Sequence, residues 1–240
     1  MTTTPCPVCG GGTFGFQPIL PPRLVADWAL SPAEAAYVDR QQGEYCTGCY
    51  ANLRSMVLAD AILALWGAGP TLRAACDHPG PNPPRVLELN PAGTLHADLR
   101  RLPGHCLGEH PAIDMHALPW ADGSFDLVVH SDTLEHVAYP ERALAECLRV
   151  TRTGGAVVYT VPIVVGRLTR SRAGLPPSHH GPAGDTRDDY LVHTEFGADA
   201  WLWPMRAGAR EVRLFTRAHP AAHAIAAFPH RPVFPDRPAI

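Results

Sequence analysis

Apolar and polar positions along the chain change rhythm more than once. From Leu53 to Trp66 the apolar residues Leu58, Ile62, Leu65 and Trp66 recur at helical spacing, and Gly67 and Gly69 stop the run. Upstream, Ser31-Pro32 with Glu34 makes a helix start (a cap, a proline in the first turn and a carboxylate three residues on), predicting a helix to about Arg40. Downstream of Pro83-Pro84 the pattern becomes short apolar runs separated by helical stretches. Val86–Leu89 reads as a first strand, Leu107 lies in a second, Ile113 begins a third and Phe125–His130 is a fourth. A helix opens at Pro140. Gly154-Gly155 then turns into a fifth strand over 156–160. Glu195–Met205 reads as a helix, and Glu211–Phe215 and Ala224–Phe228 as closing strands. Near-continuous apolar strands alternating with helices predict an α/β fold, an open doubly wound sheet covered on both faces.

Around this frame the chain divides into a module over 1–55, a helix and stiff Pro-rich linker over 56–83, and a main domain over 84–240 with an insert at 166–194. The first module carries the sharpest chemical motif. Cys6 and Cys9 form one C-x2-C pair, Cys46 and Cys49 another, with 36 residues between the pairs. Two such turns can close a tetrahedral four-thiolate site, which points to structural zinc; two disulfides, or a redox motif needing one pair only, are the competing readings. Cys76, Cys106 and Cys147 are isolated and read as small buried hydrophobes.

The 240 residues carry a net charge of -3, with 20 basic residues, all arginine, and 23 acidic ones. The absence of lysine excludes Schiff-base or lysine-base chemistry. The charge balance disfavours nucleic acid, no apolar run is long enough for a membrane, and a homo-oligomer stays open. The start of the chain is polar and Cys-rich, unlike a secretion leader, so a cytoplasmic protein is expected.

In a doubly wound sheet, ligands sit beyond the C-terminal strand ends. There the chain places Glu88, Glu109 twenty-one residues later, and Asp114. A carboxylate at that spacing commonly takes ribose hydroxyls. The stretch DMHALPWADGSFDLVVHSDTLEHV (114–137), with ECLRVTRTGG (146–155) and Thr160-Val161-Pro162, resembles the central motifs of class I S-adenosylmethionine-dependent methyltransferases over residues 84–230. The cysteine pairs are similar to a zinc-bearing segment found in some of that family's small-molecule enzymes. The resemblance implies a Rossmann-like sheet and S-adenosylmethionine as cofactor. Glu88 would then anchor the loop near the methionine amino group, the backbone of Asn90 and Gly93 would pass the methionine part, Glu109 would hold the ribose, and Asp114 with Met115 would frame the adenine. His130 and Ser131 would face the methionine tail and the acceptor, and His136 reads as mainly structural.

One departure from the family pattern stands out. Where the family has three glycines after the first strand, this chain has Asn90, Ala92 and Thr94, and only ten residues separate Gly93 from Gly104. Either the pocket is reshaped or the cofactor site has decayed. Methyl transfer needs alignment and a proton acceptor, so His180 and His193 of the His/Asp-rich insert are the catalytic candidates, with His130 as a third. Each insert histidine could equally be a helix cap or surface group. The insert, with Gly166, Gly174, Gly181 and Gly184, is expected to be a lid. A second metal site from His179, His180, Asp185 and His193 matches no ligand-spacing template. The leading reading is methyl transfer to an O or N atom of a small-molecule acceptor. A non-catalytic zinc-stabilised binding protein and an RNA-modifying methyltransferase are the alternatives.

Overall fold

The computed structural model describes residues 4–180 and 187–229. Its helices are α1 (Pro22–Asp27), α2 (Pro32–Gly43), α3 (Leu53–Trp66), α4 (Leu72–Asp77), α5 (His96–Leu99), α6 (Pro140–Val150) and α7 (Leu202–Arg206). Its strands are β1 (Phe14–Phe16), β2 (Glu44–Cys46), β3 (Val86–Leu89), β4 (His105–Gly108), β5 (Phe125–Ser131), β6 (Thr151–Thr160), β7 (Ile163–Val164), β8 (Arg170–Ser171), β9 (Thr194–Gly197), β10 (Glu211–Arg217) and β11 (Ala222–Phe228).

Six strands form the central sheet in the order β10-β11-β6-β5-β3-β4. Strands β4, β3, β5 and β6 run parallel, and β11 joins β6 antiparallel with β10 as its hairpin partner. This is the Rossmann-like α/β sheet that the apolar runs predict. Its strands alternate faces with period two. Val86, Val129, Val158 and Ala226 pack with α3, while Leu87, Val128, Val157 and Ala227 pack with α6.

Helices α2 and α3 begin where the sequence places them. Ser31 and Glu34 make a complete capping box, and α3 starts at a capping Asn52 and ends at Gly67 with φ +72°. Two expectations are corrected. No strand begins at Ile113: its amide donates to the Glu109 carbonyl in a turn, within a segment broken by Pro111 and Pro119. The expected helix over Glu195–Met205 is a strand to Gly197 and a helix only from Leu202, because Glu195 is drawn into a buried arginine cluster. The helix of the segment 56–83 lies on the sheet as part of α3, and Cys6, Val8 and Cys46 share its core cluster. Among the described residues no helix is long and apolar enough to cross a membrane.

The insert after β6 is itself built. β7, β8 and β9 form a small three-stranded sheet. Gly181, Gly184 and Asp185 lie outside the described residues. Arg167 pins this sheet to α2: its guanidinium donates to both Glu34 oxygens at 3.2 and 2.9 Å. The Arg167 guanidinium, with the Ser31 amide, holds the Glu34 carboxyl down to about 2. A carboxyl depressed by folding stabilises above its unfolded value and loses that contribution as pH falls through the folded one. Glu34→Gln should therefore flatten the fall in stability between pH 4.5 and about 2. Urea unfolding across that range checks this, and identical acid slopes in the two proteins would overturn it.

Candidate functional site

The loop after β3 turns without the glycines of the family pattern. Asn90 adopts φ +56° and Gly93 φ +55°; asparagine tolerates that left-handed region better than most residues. The turn is tied across to β4, where the Asn90 amide donates to the Gly108 carbonyl at 2.8 Å and Asn90 Oδ1 accepts from the His110 amide at 3.0 Å. Glu88 is fully buried beneath it. Its Oε1 accepts from the Ala92 amide at 2.7 Å, while Oε2 meets His96 Nδ1 at 2.8 Å and His105 Nε2 at 2.7 Å. Burial alone would raise this carboxyl, but His105, the Ala92 amide and His96 outweigh it and hold it below its usual range.

Beyond the ends of β3, β4 and β5 opens a cavity of about 1450 Å³. Asn90, Gly93, Asp114 and Met115 line one side, as the resemblance implies for a nucleoside ligand. The Asp114 carboxylate also accepts from the His116 amide at 2.8 Å and meets its ring Nδ1 at 2.7 Å. Glu109 is exposed, set between the lining residues Gly108 and His110. Glu88 is not among the lining residues, so it supports the loop from below.

On the other side stand His136, His180 and His193, with Glu135 and the Arg54–Asp132 pair. Both insert histidines thus face the same cavity as the strand ends. His180 lies against Trp28 with ring centres 4.8 Å apart, and burial lowers its imidazole to about 3. His130 does not reach the cavity. It is fully buried, stacked on Tyr159 at 4.7 Å, and burial lowers it to about 3. The side chains of β5 alternate, and the step that sends Val128 into the core beside α6 sends His130 the same way. His130 is therefore withdrawn from both the cofactor and the acceptor sets.

Sequence reasoning missed Glu135. It is 1% exposed, lines the cavity, and neither carboxylate oxygen has a hydrogen-bond partner on another residue. Burial first, then the nearby Asp132 charge, pushes its carboxyl up to about 8. Only its position directly before His136 could have drawn attention to it. Arg54 and Asp132 were missed for a related reason: they meet at 2.7 Å from segments far apart in the chain. Gln42 Nε2 donates to the other Asp132 oxygen at 2.9 Å, so the N-terminal helices build this wall.

The four cysteines converge beside the start of α3, where Cys49 lies three residues before the cap Asn52. Cys6 and Cys49 Sγ lie 3.7 Å apart, as do Cys9 and Cys46, and all four sulfurs fall within 4.8 Å of one another. Disulfide sulfurs would stand about 2.05 Å apart. A tetrahedron with 2.3 Å metal–sulfur arms has edges of about 3.8 Å. The observed spacing therefore fits a four-thiolate metal site and not a pair of bridges.

Residues 95–159 match the family model described as a methyltransferase domain. A protein of Mycolicibacterium gilvum named an uncharacterized methyltransferase is 45% identical over 120 residues, covering 43% of this chain and 45% of the relative. A Mycobacterium avium protein with the same description is 33% identical over 117 residues, covering 43% and 46%. Another, from Mycobacterium sp. strain KMS, is 29% identical over 175 residues, 64% of each. The chain spans about half the length of the first two of these curated relatives. Among solved structures, a SAM-dependent methyltransferase of Thermotoga maritima aligns over 70% of this chain and 93% of its own at 16% identity, with a TM-score of 0.37. The fold assignment rests on the strand order itself. The matched segment is methyltransferase-like in sequence as well.

Proposed function

We propose that the protein transfers a methyl group from S-adenosylmethionine to an oxygen or nitrogen of a small-molecule acceptor. The observation that carries this is the cavity at the strand ends. Its volume of about 1450 Å³ exceeds the roughly 300–1,000 Å³ of a single-ligand pocket, so it has room for two reactants. One side offers a tight loop and an apolar seat at Met115, the other a set of imidazoles. The donor set fits an adenosyl cofactor: backbone at Asn90 and Gly93, Met115 for the base, and Glu109 at the rim for hydroxyls. When bound, such a cofactor supplies an electrophilic methyl group. The chain's part is to align the acceptor with it, exclude water, and receive the acceptor's proton at the cavity wall, where His193 is the proposed contact. His180, whose basicity burial suppresses, is the poorer proton acceptor.

The four-cysteine cluster is proposed to hold one structural zinc, since it leaves no open coordination position. A second reading, a non-catalytic ligand-binding protein, draws on Glu88, whose carboxylate is engaged by His96, His105 and the Ala92 amide. Calorimetry with S-adenosylhomocysteine tests the site. One equivalent should bind, and Glu109→Ala should weaken it roughly tenfold, the low end for a charge-assisted hydrogen bond at about 1.5 kcal/mol. Unchanged affinity in the folded variant would remove Glu109 from the site, and no binding to the parent protein would overturn the methyltransferase reading. Binding without turnover on any acceptor, across a panel of hydroxyl and amine compounds, would favour the non-catalytic reading.

A further inference from the structure

We infer that Glu135, His136 and His180 form a binding site for a divalent transition-metal ion in the wall of the cavity, separate from the four-cysteine cluster. One ligand atom from each residue lies within 4.8 Å of the others. The donor set, two imidazoles and a carboxylate, is one that borderline divalent ions take.

Three features make the arrangement a site and not a chance grouping. The first is the unsatisfied carboxylate. Glu135 is 1% exposed, and no other residue offers either of its oxygens a hydrogen bond. A buried polar group in that state is costly unless something not yet bound completes it. The second is the tautomer of His136. Its Nδ1 lies 3.1 Å from the Leu191 carbonyl, which can only accept, so Nδ1 carries the proton and Nε2 presents a lone pair. A backbone carbonyl fixing one ring nitrogen so that the other can ligate is the usual outer support of a metal-bound histidine. Nε2 stands 3.8 Å from Glu135 Oε1, too far for a hydrogen bond but near the spacing of two ligands on one ion. The third is the orientation of His180. Its ring stands at 88° to that of His136, with centres 5.5 Å apart, and Trp28 backs it from the other side. No hydrogen bond to the His180 ring is present among the described residues.

Three guanidinium groups, Arg54, Arg172 and Arg23, act on His180, and each is engaged elsewhere: Arg172 pairs with Glu195 and Arg23 donates to the His179 carbonyl at 3.2 Å. Arg54, whose field reaches Glu135, is itself paired with Asp132 at 2.7 Å. The contrast with Glu88, His96 and His105 is informative. That trio also gathers ligand-type atoms, but both Glu88 oxygens are already hydrogen-bonded, so it is complete without an ion. Three protein ligands leave positions open towards the cavity, the form in which a bound ion acts on a substrate. An acceptor offering an oxygen donor, such as a hydroxyl beside a carbonyl or a second hydroxyl, would suit those positions. That use rests on the methyltransferase reading; the site itself does not.

The test is a titration of the zinc-loaded protein with Co²⁺, read by visible absorption and by metal analysis after dialysis. The expected result is one cobalt per chain beyond the cysteine-bound zinc, with ligand-field bands and no thiolate charge-transfer band. His180→Ala and Glu135→Gln should each weaken that binding at least tenfold while retaining the zinc and the circular dichroism of the parent. Should Glu135→Gln fail to fold, His180→Ala alone decides the matter. No equivalent beyond zinc, or a second equivalent held equally well by the variants, would overturn the site. Cobalt binding intact in a protein that does not take S-adenosylhomocysteine would support the site and overturn the methyltransferase reading.

Discussion

Replacing Cys46 by serine is expected to destabilise the whole protein by more than about 4 kcal/mol, the range expected for loss of a structural metal. The size of the effect comes from where the cysteines sit. Cys6 and Cys46 are 1% and 0% exposed and belong to the same apolar cluster as Leu53, Met56 and Ile62 of α3 and Val129 and Val158 of the sheet. A cluster of four thiolates without its cation would leave mutually repelling charge, or thiols without good partners, against the inner face of the main core. The loss should therefore not stay confined to residues 4–52. Denaturant unfolding with zinc analysis of the purified protein checks this. About one zinc in the parent, less in Cys46→Ser, and a single transition moved to lower denaturant are expected. A variant that loses zinc while unfolding at the parental midpoint would show that the cluster is ornamental to the fold.

Glu195→Ala should cost about 3–5 kcal/mol, as removal of one partner from a buried ion pair does. Glu195 is 1% exposed on β9 and gathers arginines from the insert. Arg170 donates to it at 2.7 and 3.1 Å, and the Arg172 guanidinium pairs with its Oε1. Arg172 is itself only 6% exposed, so the variant would strand a buried cation. The Arg172 amide also donates to the His193 carbonyl at 2.9 Å, and the His193 amide to the Glu135 carbonyl at 2.8 Å. Loosening this corner should thus reach the cavity wall. Glu195→Ala is expected to lose stability in urea. Among molecules still folded, proton-exchange protection should fall at the His193 amide more than at the amides of β5. Protection lost equally everywhere would mean that the ion cluster stabilises the fold without organising the wall.

The fold was largely legible because its information is local. The spacing of Leu58, Ile62 and Leu65 marks α3, and Ser31 with Glu34 announces α2 through a cap whose partners lie within one turn. Apolar runs at Val86, Phe125 and Ala156 give the parallel strands. Where tertiary partners override local pattern, legibility failed. Glu195 looks helical among Phe196 and Ala198, yet Arg170 and Arg172 of the insert hold it in a strand. Ile113 looks like a strand start, but no partner strand receives it. The candidate site divides in the same way. The cysteines are readable because two residues of spacing dictate their geometry. Asn90 and Gly93 are readable from their place in the loop after a first strand. Glu135, Arg54 and Asp132 are not, because their importance lies in being buried together from distant segments, and His130 misled because its register, not its identity, decides which way it points.

One junction joins the cysteine cluster to the cavity, and it sets a constraint on chain length. Cys49 leads through Tyr50 and Ala51 to Asn52, whose side chain caps α3 at the Ser55 amide at 2.9 Å. Arg54, in the first turn of that helix, reaches Asp132, and Ser55 lies beneath Gly93, where an added Cβ would come within 3.3 Å of its hydroxyl oxygen. One helical turn is thus anchored at its start by the sulfur cluster and touches the loops after both β3 and β5. A single residue inserted within that turn would rotate the remainder of the helix by about 100°, and one inserted before the cap would push the helix along by as much as roughly 3.8 Å. Either change moves the arginine off its partner. The stretch from Cys49 to Arg54 behaves as a gauge block between two sites.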